Sequence, residues 1–440
     1  MYPLPPQVNT ALTLLNRAGF EAFVVGGAVR DLLRGAPVHD WDITTSALPE
    51  QTKEVFSDYR LIETGIKHGT VTVLMDGLPL EITTYRTEGT YSDHRRPDNV
   101  EFTRSLEEDL ARRDFTINAM AYHPETGVVD LFGGQNDLET RIIRCVGEPD
   151  KRFQEDALRM LRALRFASRL GFSIEEETAA AIHRNRMLLA HVAPERIREE
   201  LTGLLCGSCV EPVLRQYHDV LSVPIPEIAP LVGFNQHLKS HCHDLWGHIS
   251  AVTAAAPARS EYRWAGLFHD FGKPNCFFLT EDGKGRYHGH PEQSAELAAR
   301  IMERLRFSNA ERNQICFLVS NHHLFHDITE ERIRWAIQQF GSEKLNQLKW
   351  MLRADILGKS PRCLHQLDEL NHLYGTIGTM SAQMDQITPK DLAVTGSDLM
   401  ALGLSGTQIG QALERLVNAV VFEGLENKKE SLLAYLEKYL

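Results

Sequence analysis

Four things are scarce in this 440-residue chain, and each scarcity removes a class of protein. No run of about 18 apolar residues occurs, which excludes a membrane-spanning helix. The opening segment MYPLPPQVNT has no basic start leading into an apolar stretch, so a cytoplasmic protein with no membrane partner is expected. Only 7 cysteines are present, scattered at Cys145, Cys206, Cys209, Cys242, Cys276, Cys316 and Cys363, which excludes a disulfide scaffold and suits reduced thiols. Cys206-Gly-Ser-Cys209 has zinc or redox spacing, but no second CxxC accompanies it and it follows the apolar run 201–205. It reads as a helix end. Basic residues are the minority, 47 against 59 acidic, for a net charge of −12. That balance argues against nucleic-acid binding over the whole surface and gives no reason to expect a DNA partner. It leaves room for a local basic groove.

What is present is ordinary globular composition, 43% hydrophobic and 24% charged. The length admits about two to four domains. Residues 8–20 have helical spacing, 21–25 read as a short buried strand, and Gly26-Gly27 separates that strand from a helix over 28–34. Strands are expected at 71–75 and 80–85 around a turn at Gly77, followed by an exposed polar loop over 87–99. Beyond Lys151 the periodicity is helical, with a bend at Pro224, Pro226 and Pro230. The expected architecture is an α+β chain: an α/β head over 1–145, a helical neck over 146–225, a His-rich body over 237–360 and a helical tail over 361–440.

Four motifs in the head point to nucleotide chemistry together rather than singly. Gly26-Gly27-Ala-Val-Arg30-Asp31 is a strand, a Gly-Gly turn and a helix start, where backbone N–H groups can seat phosphate and Arg30 can reach the same oxygens. Asp40-Trp41-Asp42, taken as a strand, points two carboxylates to one side, a hard-oxygen set suited to Mg²⁺. Glu81 is a third carboxylate, placed to take the proton of an attacking hydroxyl. Arg112-Arg113-Asp114, ahead of an apolar run expected to be helical, offers guanidinium forks for ribose or triphosphate oxygens.

The fourth motif is Glu155-Asp156-Ala-Leu-Arg159-Met-Leu-Arg162-Ala-Leu-Arg165, whose spacing of three is expected to set Asp156, Arg159, Arg162 and Arg165 along one helical face. An aspartate beside an arginine offers an acceptor next to a donor fork. Cytosine and adenine each present an amino donor beside a ring-nitrogen acceptor and satisfy both. Guanine and uracil would set a carbonyl against the carboxylate, a costly buried mismatch.

GGAVRD, DWD, RRDFTIN and EDALRMLRALRF, in this order, resemble the class II tRNA nucleotidyltransferases, the bacterial CCA-adding enzymes; the resemblance resumes in the tail at LAVTGSDLMALGL. It implies a polymerase-β-like head followed by helical neck, body and tail. It also implies template-independent addition of CCA to the tRNA 3′ end from CTP and ATP, by two-metal transfer with Mg²⁺ and release of pyrophosphate. Gly26, Gly27, Arg30, Arg113, Asp156, Arg159, Arg162 and Arg165 are then the nucleotide-contacting positions, and Asp40 and Asp42 hold metal. The tRNA acceptor arm and elbow are the partners. A poly(A) polymerase shares the head motifs, and an enzyme adding only A is the other alternative; the loop 87–99 speaks against a CC-only enzyme.

The His-rich body holds a second constellation. An upstream His, an adjacent His-Asp pair and a late Asp can place mixed nitrogen and oxygen ligands on one ion. This pattern resembles the HD phosphohydrolase domain, whose ligand set here would be His248, His269, Asp270 and Asp355, with Lys273 near phosphate. The resemblance implies a divalent metal such as Ni²⁺, Mn²⁺ or Mg²⁺ and hydrolysis of phosphomonoesters or cyclic phosphodiesters.

Overall fold

A computed structural model describes residues 2–88, 100–238, 242–325, 329–383 and 387–438. Most of the expected loop over 87–99 lies outside them. Its first residues are a strand, because Arg86–Glu88 (β6) pairs antiparallel with Val100–Phe102 (β7).

The chain divides into two compact units: residues 1–320 with 354–363, and residues 321–353 with 364–440. The first unit opens with helix α1 (Pro6–Arg17), whose Val8, Ala11, Leu12 and Leu15 form a buried stripe. Then come β1 (Ala22–Val25), α2 (Gly27–Leu33), β2 (Trp41–Thr45), α3 (Pro49–Val55), β3 (Arg60–Ile62), β4 (Thr70–Met75) and β5 (Leu78–Thr84). Asp76 and Gly77 both take positive φ between β4 and β5, the backbone that a two-residue hairpin demands and that glycine supplies without strain. Helix α4 (Leu106–Ala111), β8 (Met120–His123), β9 (Gly127–Asp130) and α5 (Gly134–Glu139) complete the head. The apolar run after Arg112-Arg113, expected to be helical, is instead a single 3₁₀ turn at Thr116–Asn118 leading into β8. Its residues are buried where the turn packs on α2 and α5, and that packing outweighs their local spacing.

Seven strands form one mixed sheet in the order β3-β4-β5-β2-β1-β8-β9. β2 runs parallel to β5 and antiparallel to β1. Alternation along β2 drives Trp41 and Ile43 into the main core with Val24, Ile82 and the α1 stripe. Val25, opposite Asp42 in register, packs with Leu110 of α4 and Ala121 of β8 on the other face. Asp42 and Thr44 therefore share the face that α4 partly covers. The catalytic candidates sit on that face.

Helices α6 (Pro149–Glu155), α7 (Leu158–Leu170), α8 (Glu176–Asn185) and α9 (Pro194–Leu205) follow. Asp156 does not share a helix with Arg159, Arg162 and Arg165, contrary to the expected single face. It caps the end of α6 in extended backbone, with φ −136° and ψ 103°, and α7 starts two residues later. The physical reason is local: its side-chain Oδ1 accepts from the Leu158 N–H at 3.1 Å, an Asx-type bond that competes with a continuous helix. Cys206 stands at the end of α9, and it and Cys209 carry free thiols. Among the described residues no helix is long and apolar enough to cross a membrane. The second unit is helical, with a core of Leu392, Val394, Leu399, Leu416, Val417, Leu432 and Leu436.

Candidate active site

The strand-to-helix turn after β1 depends on Gly26, which has φ +69°. A Cβ there would lie 3.2 Å from Nη1 of Arg113 and 3.8 Å from Oδ2 of Asp42, so the missing side chain lets those two groups approach the turn. Asp42 is half-buried on β2. Asp40 precedes the strand by one residue and is exposed, so the two acids are not both strand residues as expected, although both face the same cleft. Glu81 on β5 lies opposite Asp42 in the parallel register, so the two carboxylates emerge side by side. Burial pushes the Asp42 carboxyl above its ordinary range. The neighbouring Glu81 adds to the rise, against the opposing pull of Arg113.

A cleft of about 540 Å³ gathers these groups. Gly26, Gly27, Arg30, Asp40, Asp42, Arg113, Asp156, Arg159, Arg162 and Arg165 all line it. Eight arginines and five aspartates face it, a local positive excess inside an acidic chain. Glu81 stands beside it through Asp42 rather than in its lining.

Most of these arginines are held by specific acceptors. Arg30 donates to Asn118 Oδ1 at 2.8 Å. Arg159, whose side chain is only 9% exposed, donates to Glu155 Oε2 at 2.8 Å and to the carbonyls of Arg152 and Arg112 at 3.2 Å each. Those three acceptors fix its guanidinium plane. Arg162 donates to Asp114 Oδ2 from Nη2 at 2.7 Å and from Nε at 2.9 Å. Arg165 pairs with Glu200 of α9 at 2.7 Å. Burial raises the Asp114 carboxyl, but Arg162 and the Asn118 amide outweigh it and hold the group below the usual range. Phe166 carries three guanidinium groups on its ring, from Arg165, Arg30 and Arg162 at 4.9, 5.3 and 5.7 Å. Asp156 accepts from Arg196 of α9 at 3.0 Å, so α9 braces both the acid and the arginines of this row.

Comparison with known proteins gives this arrangement a family. Residues 22–144 match the model of the Poly A polymerase head domain, and residues 290–436 match that of tRNA nucleotidyltransferase domain 2. The CCA-adding enzyme of Geobacillus thermodenitrificans is 37% identical over 443 residues, spanning 99% of this chain and 97% of the relative. The chain belongs to the class II CCA-adding enzymes. A CCA-adding enzyme of Lactobacillus delbrueckii is 36% identical over 98% of this chain and 97% of its own length. The crystal structure of Bacillus stearothermophilus CCA-adding enzyme in complex with CTP is similar with a TM-score of 0.70 and 31% identity, covering 99% of this chain and 98% of that one. The expected fold holds: a polymerase-β-like head on a mixed sheet, with a largely helical remainder. As a CCA-adding enzyme the protein is a nucleotidyltransferase, of a family that needs a divalent metal, generally Mg²⁺.

Several partners within this CCA-adding enzyme were not singled out from sequence: Asp109, Asn118, Glu155, Arg196 and Glu200, and the tie from Asp114 to Arg162. Asp109 was legible in principle, three and four residues before Arg112 and Arg113 at the end of α4. Glu200 was not, because only the packing of α7 on α9 brings it to Arg165.

The His-rich residues of the first unit also converge. His248, on the helix Leu245–Ala255, sets Nε2 at 3.3 Å from Asp270 Oδ2 and from Asp355 Oδ1. His269 Nε2 lies 3.2 Å from Asp270 Oδ2 and 3.9 Å from Asp355 Oδ1. All four residues are buried. Nδ1 of His248 faces the Gly358 carbonyl at 3.0 Å and Nδ1 of His269 faces that of Gly266 at 2.8 Å, so backbone turns each Nε2 inward. Lys273 pairs with Asp270 at 2.6 Å and Lys359 with Asp355 at 2.5 Å. Burial raises both carboxyls, and the groups beside them, His269 and Lys273 for Asp270 and Lys359 and His248 for Asp355, hold them well below the ordinary range.

Proposed function

We propose that this protein adds C, C and A to the 3′ end of tRNA from CTP and ATP, releasing pyrophosphate, with amino-acid side chains in place of a nucleic-acid template. The observation that carries this reading is one cleft lined both by the paired acids and by the row 156–165. The acids fit a divalent cation: Asp42 is desolvated and repelled by Glu81 and Asp40, a stress that a cation between hard oxygens relieves. When bound, Mg²⁺ at Asp40 and Asp42 supplies charge neutralisation at the α-phosphate and the departing pyrophosphate, in a two-metal arrangement. Glu81, beside Asp42, accepts the proton of the tRNA 3′-hydroxyl. Arg30 and Arg113, at the Gly26-Gly27 turn, orient triphosphate oxygens.

The base is read by Asp156 and Arg159. The carboxylate accepts from the amino group of cytosine or adenine while the guanidinium donates to the ring nitrogen. Uracil and guanine invert both demands. Arg196 and the Leu158 N–H take up only part of the carboxylate's acceptor capacity, so Asp156 can serve a base as well. Arg162 and Arg165, tied to Asp114 and Glu200, hold α7 in register rather than reading the base. The helical tail 361–440 is assigned to the tRNA elbow and the neck 146–225 to the acceptor arm. The test uses tRNA lacking its 3′ end and each labelled nucleotide in turn. Two C and one A followed by arrest is the expected result. Unlimited A would make it a poly(A) polymerase, and A only on a supplied CC end would make it an A-adding enzyme.

We further propose a second activity at the His248, His269, Asp270 and Asp355 centre. Its donor set, two imidazoles and two carboxylates with inward Nε2 atoms, fits a divalent transition metal. Such an ion would supply Lewis acidity for phosphomonoester or cyclic phosphodiester hydrolysis, with Lys273 beside it to hold phosphate oxygens. Incubation with 2′,3′-cyclic nucleotides and Ni²⁺, Mn²⁺ or Mg²⁺ tests this activity. Absence of product with every metal would leave a structural role alone.

A further inference from the structure

Asp109 of α4 is fully buried and lies outside the lining of the cleft, yet its carboxylate touches four parts of the head. Oδ1 accepts from Arg112 Nη2 at 2.7 Å and Nε at 3.0 Å, and from the Arg86 backbone N–H at the start of β6 at 3.3 Å. Oδ2 accepts from the Thr44 hydroxyl at 3.1 Å and from Arg113 Nη2 at 3.2 Å. Thr44 is two residues along β2 from Asp42, on the same face. Arg113 reaches the Gly26 turn with its other amino group, Nη1. The Arg112 carbonyl, in turn, accepts from Arg159 at 3.2 Å. One carboxylate thus joins the strand bearing Asp42, the arginine at the phosphate turn and, through Arg112, the guanidinium assigned to the base.

The geometry points to Asp109 as a positioning residue that couples base selection to nucleotidyl transfer. The inference rests on the transfer reading of the cleft. Asp109 meets neither nucleotide nor metal; it acts by fixing Arg112 and Arg113. A residue serving only fold stability would need no such convergence. Its removal would lower the folded fraction and reduce turnover with every nucleotide alike. A positioning residue changes the ratio between nucleotides, because a loosened Arg112 carbonyl no longer holds the Arg159 plane.

The experiment measures kcat and KM for CTP and for UTP on tRNA lacking its 3′ end. It compares the unaltered protein with Asp109→Asn, Arg112→Met and the double variant, each checked by thermal melting. The ratio of kcat/KM for CTP to that for UTP is independent of the active fraction, so partial unfolding cannot imitate the effect. Asp109→Asn and Arg112→Met are each expected to lower that ratio roughly 10- to 100-fold, the range for losing a hydrogen bond to a charged group. The double variant is expected to lower it no further than the worse single one, because both changes cut the same link. A folded Asp109→Asn protein with the unaltered ratio, or a double variant whose losses multiply, overturns the inference. If Asp109→Asn does not melt cooperatively, Arg112→Met carries the test, and an unaltered ratio there overturns it. Failure of the unaltered protein itself to incorporate C would overturn the transfer reading, and this inference with it.

Discussion

Truncating Arg159 to alanine probes the protein-template reading most directly. Its side chain is 9% exposed and is held by Glu155 Oε2 at 2.8 Å and by two backbone carbonyls at 3.2 Å. Truncation removes the donor that a cytosine or adenine ring nitrogen would meet. It also removes the repulsive meeting of that donor with the ring N–H of uracil or guanine. A hydrogen bond to a charged group contributes about 1.5–3 kcal/mol, and about 1.4 kcal/mol is tenfold. Discrimination between CTP and UTP should therefore fall roughly 10- to 100-fold. The loss of stability is expected to be modest, about 1–3 kcal/mol, because Glu155 keeps Arg152 at 3.0 Å as a partner. Arg159→Lys retains the charge and loses the planar fork, so it should restore folding but not selectivity. The assay is single-nucleotide extension of tRNA lacking CCA, comparing kcat/KM for the four nucleotides. A cooperatively melting Arg159→Ala protein that still excludes UTP and GTP at the unaltered ratio refutes the reasoning.

Three further outcomes are expected. Asp42→Asn should lower nucleotide incorporation by at least about 100-fold at saturating CTP and Mg²⁺, with little change in melting temperature; incorporation within a few fold of the unaltered protein would remove Asp42 from the metal site. Asp114 has its folded-state pKa held below the ordinary value, so its pairing with Arg162 contributes stability that is fully present above about pH 4 and is lost as the pH falls through the folded value. Asp114→Asn should therefore destabilise the protein at neutral pH and flatten the acid limb of a denaturation series below about pH 4; an acid limb as steep as that of the unaltered protein would contradict it. Asp270→Ala should lose cation uptake by the His248–His269 centre, read by calorimetry with Ni²⁺ or Mn²⁺, and undiminished binding would show that the ion is held elsewhere.

The chemistry of this protein was readable before its shape. The Gly-Gly turn, the DxD pair, the adjacent arginines and the 155–165 motif each carry side chains whose type limits what they can do, and their order along the chain identified the family. The helices and strands expected over 8–34 and 71–85 were legible to within a few residues because apolar periodicity reports burial directly, whereas the head's other elements were not read. The run after Arg113 was misjudged for the same reason: period alone cannot separate a buried strand from a buried helix segment. Only the tertiary structure decided that Asp156, in the break between two helices, takes Arg196 of α9 as its partner. It likewise decided which acid each arginine takes: Asp114 for Arg162, 48 residues away, and Glu200 for Arg165. Parallel pairing of β2 with β5 put Glu81 beside Asp42, a neighbour that no spacing along the chain implies. Residue type sets which bonds a group can make. The packing of distant segments selects which of them it does make, because a buried charge must find its partner wherever the fold places one.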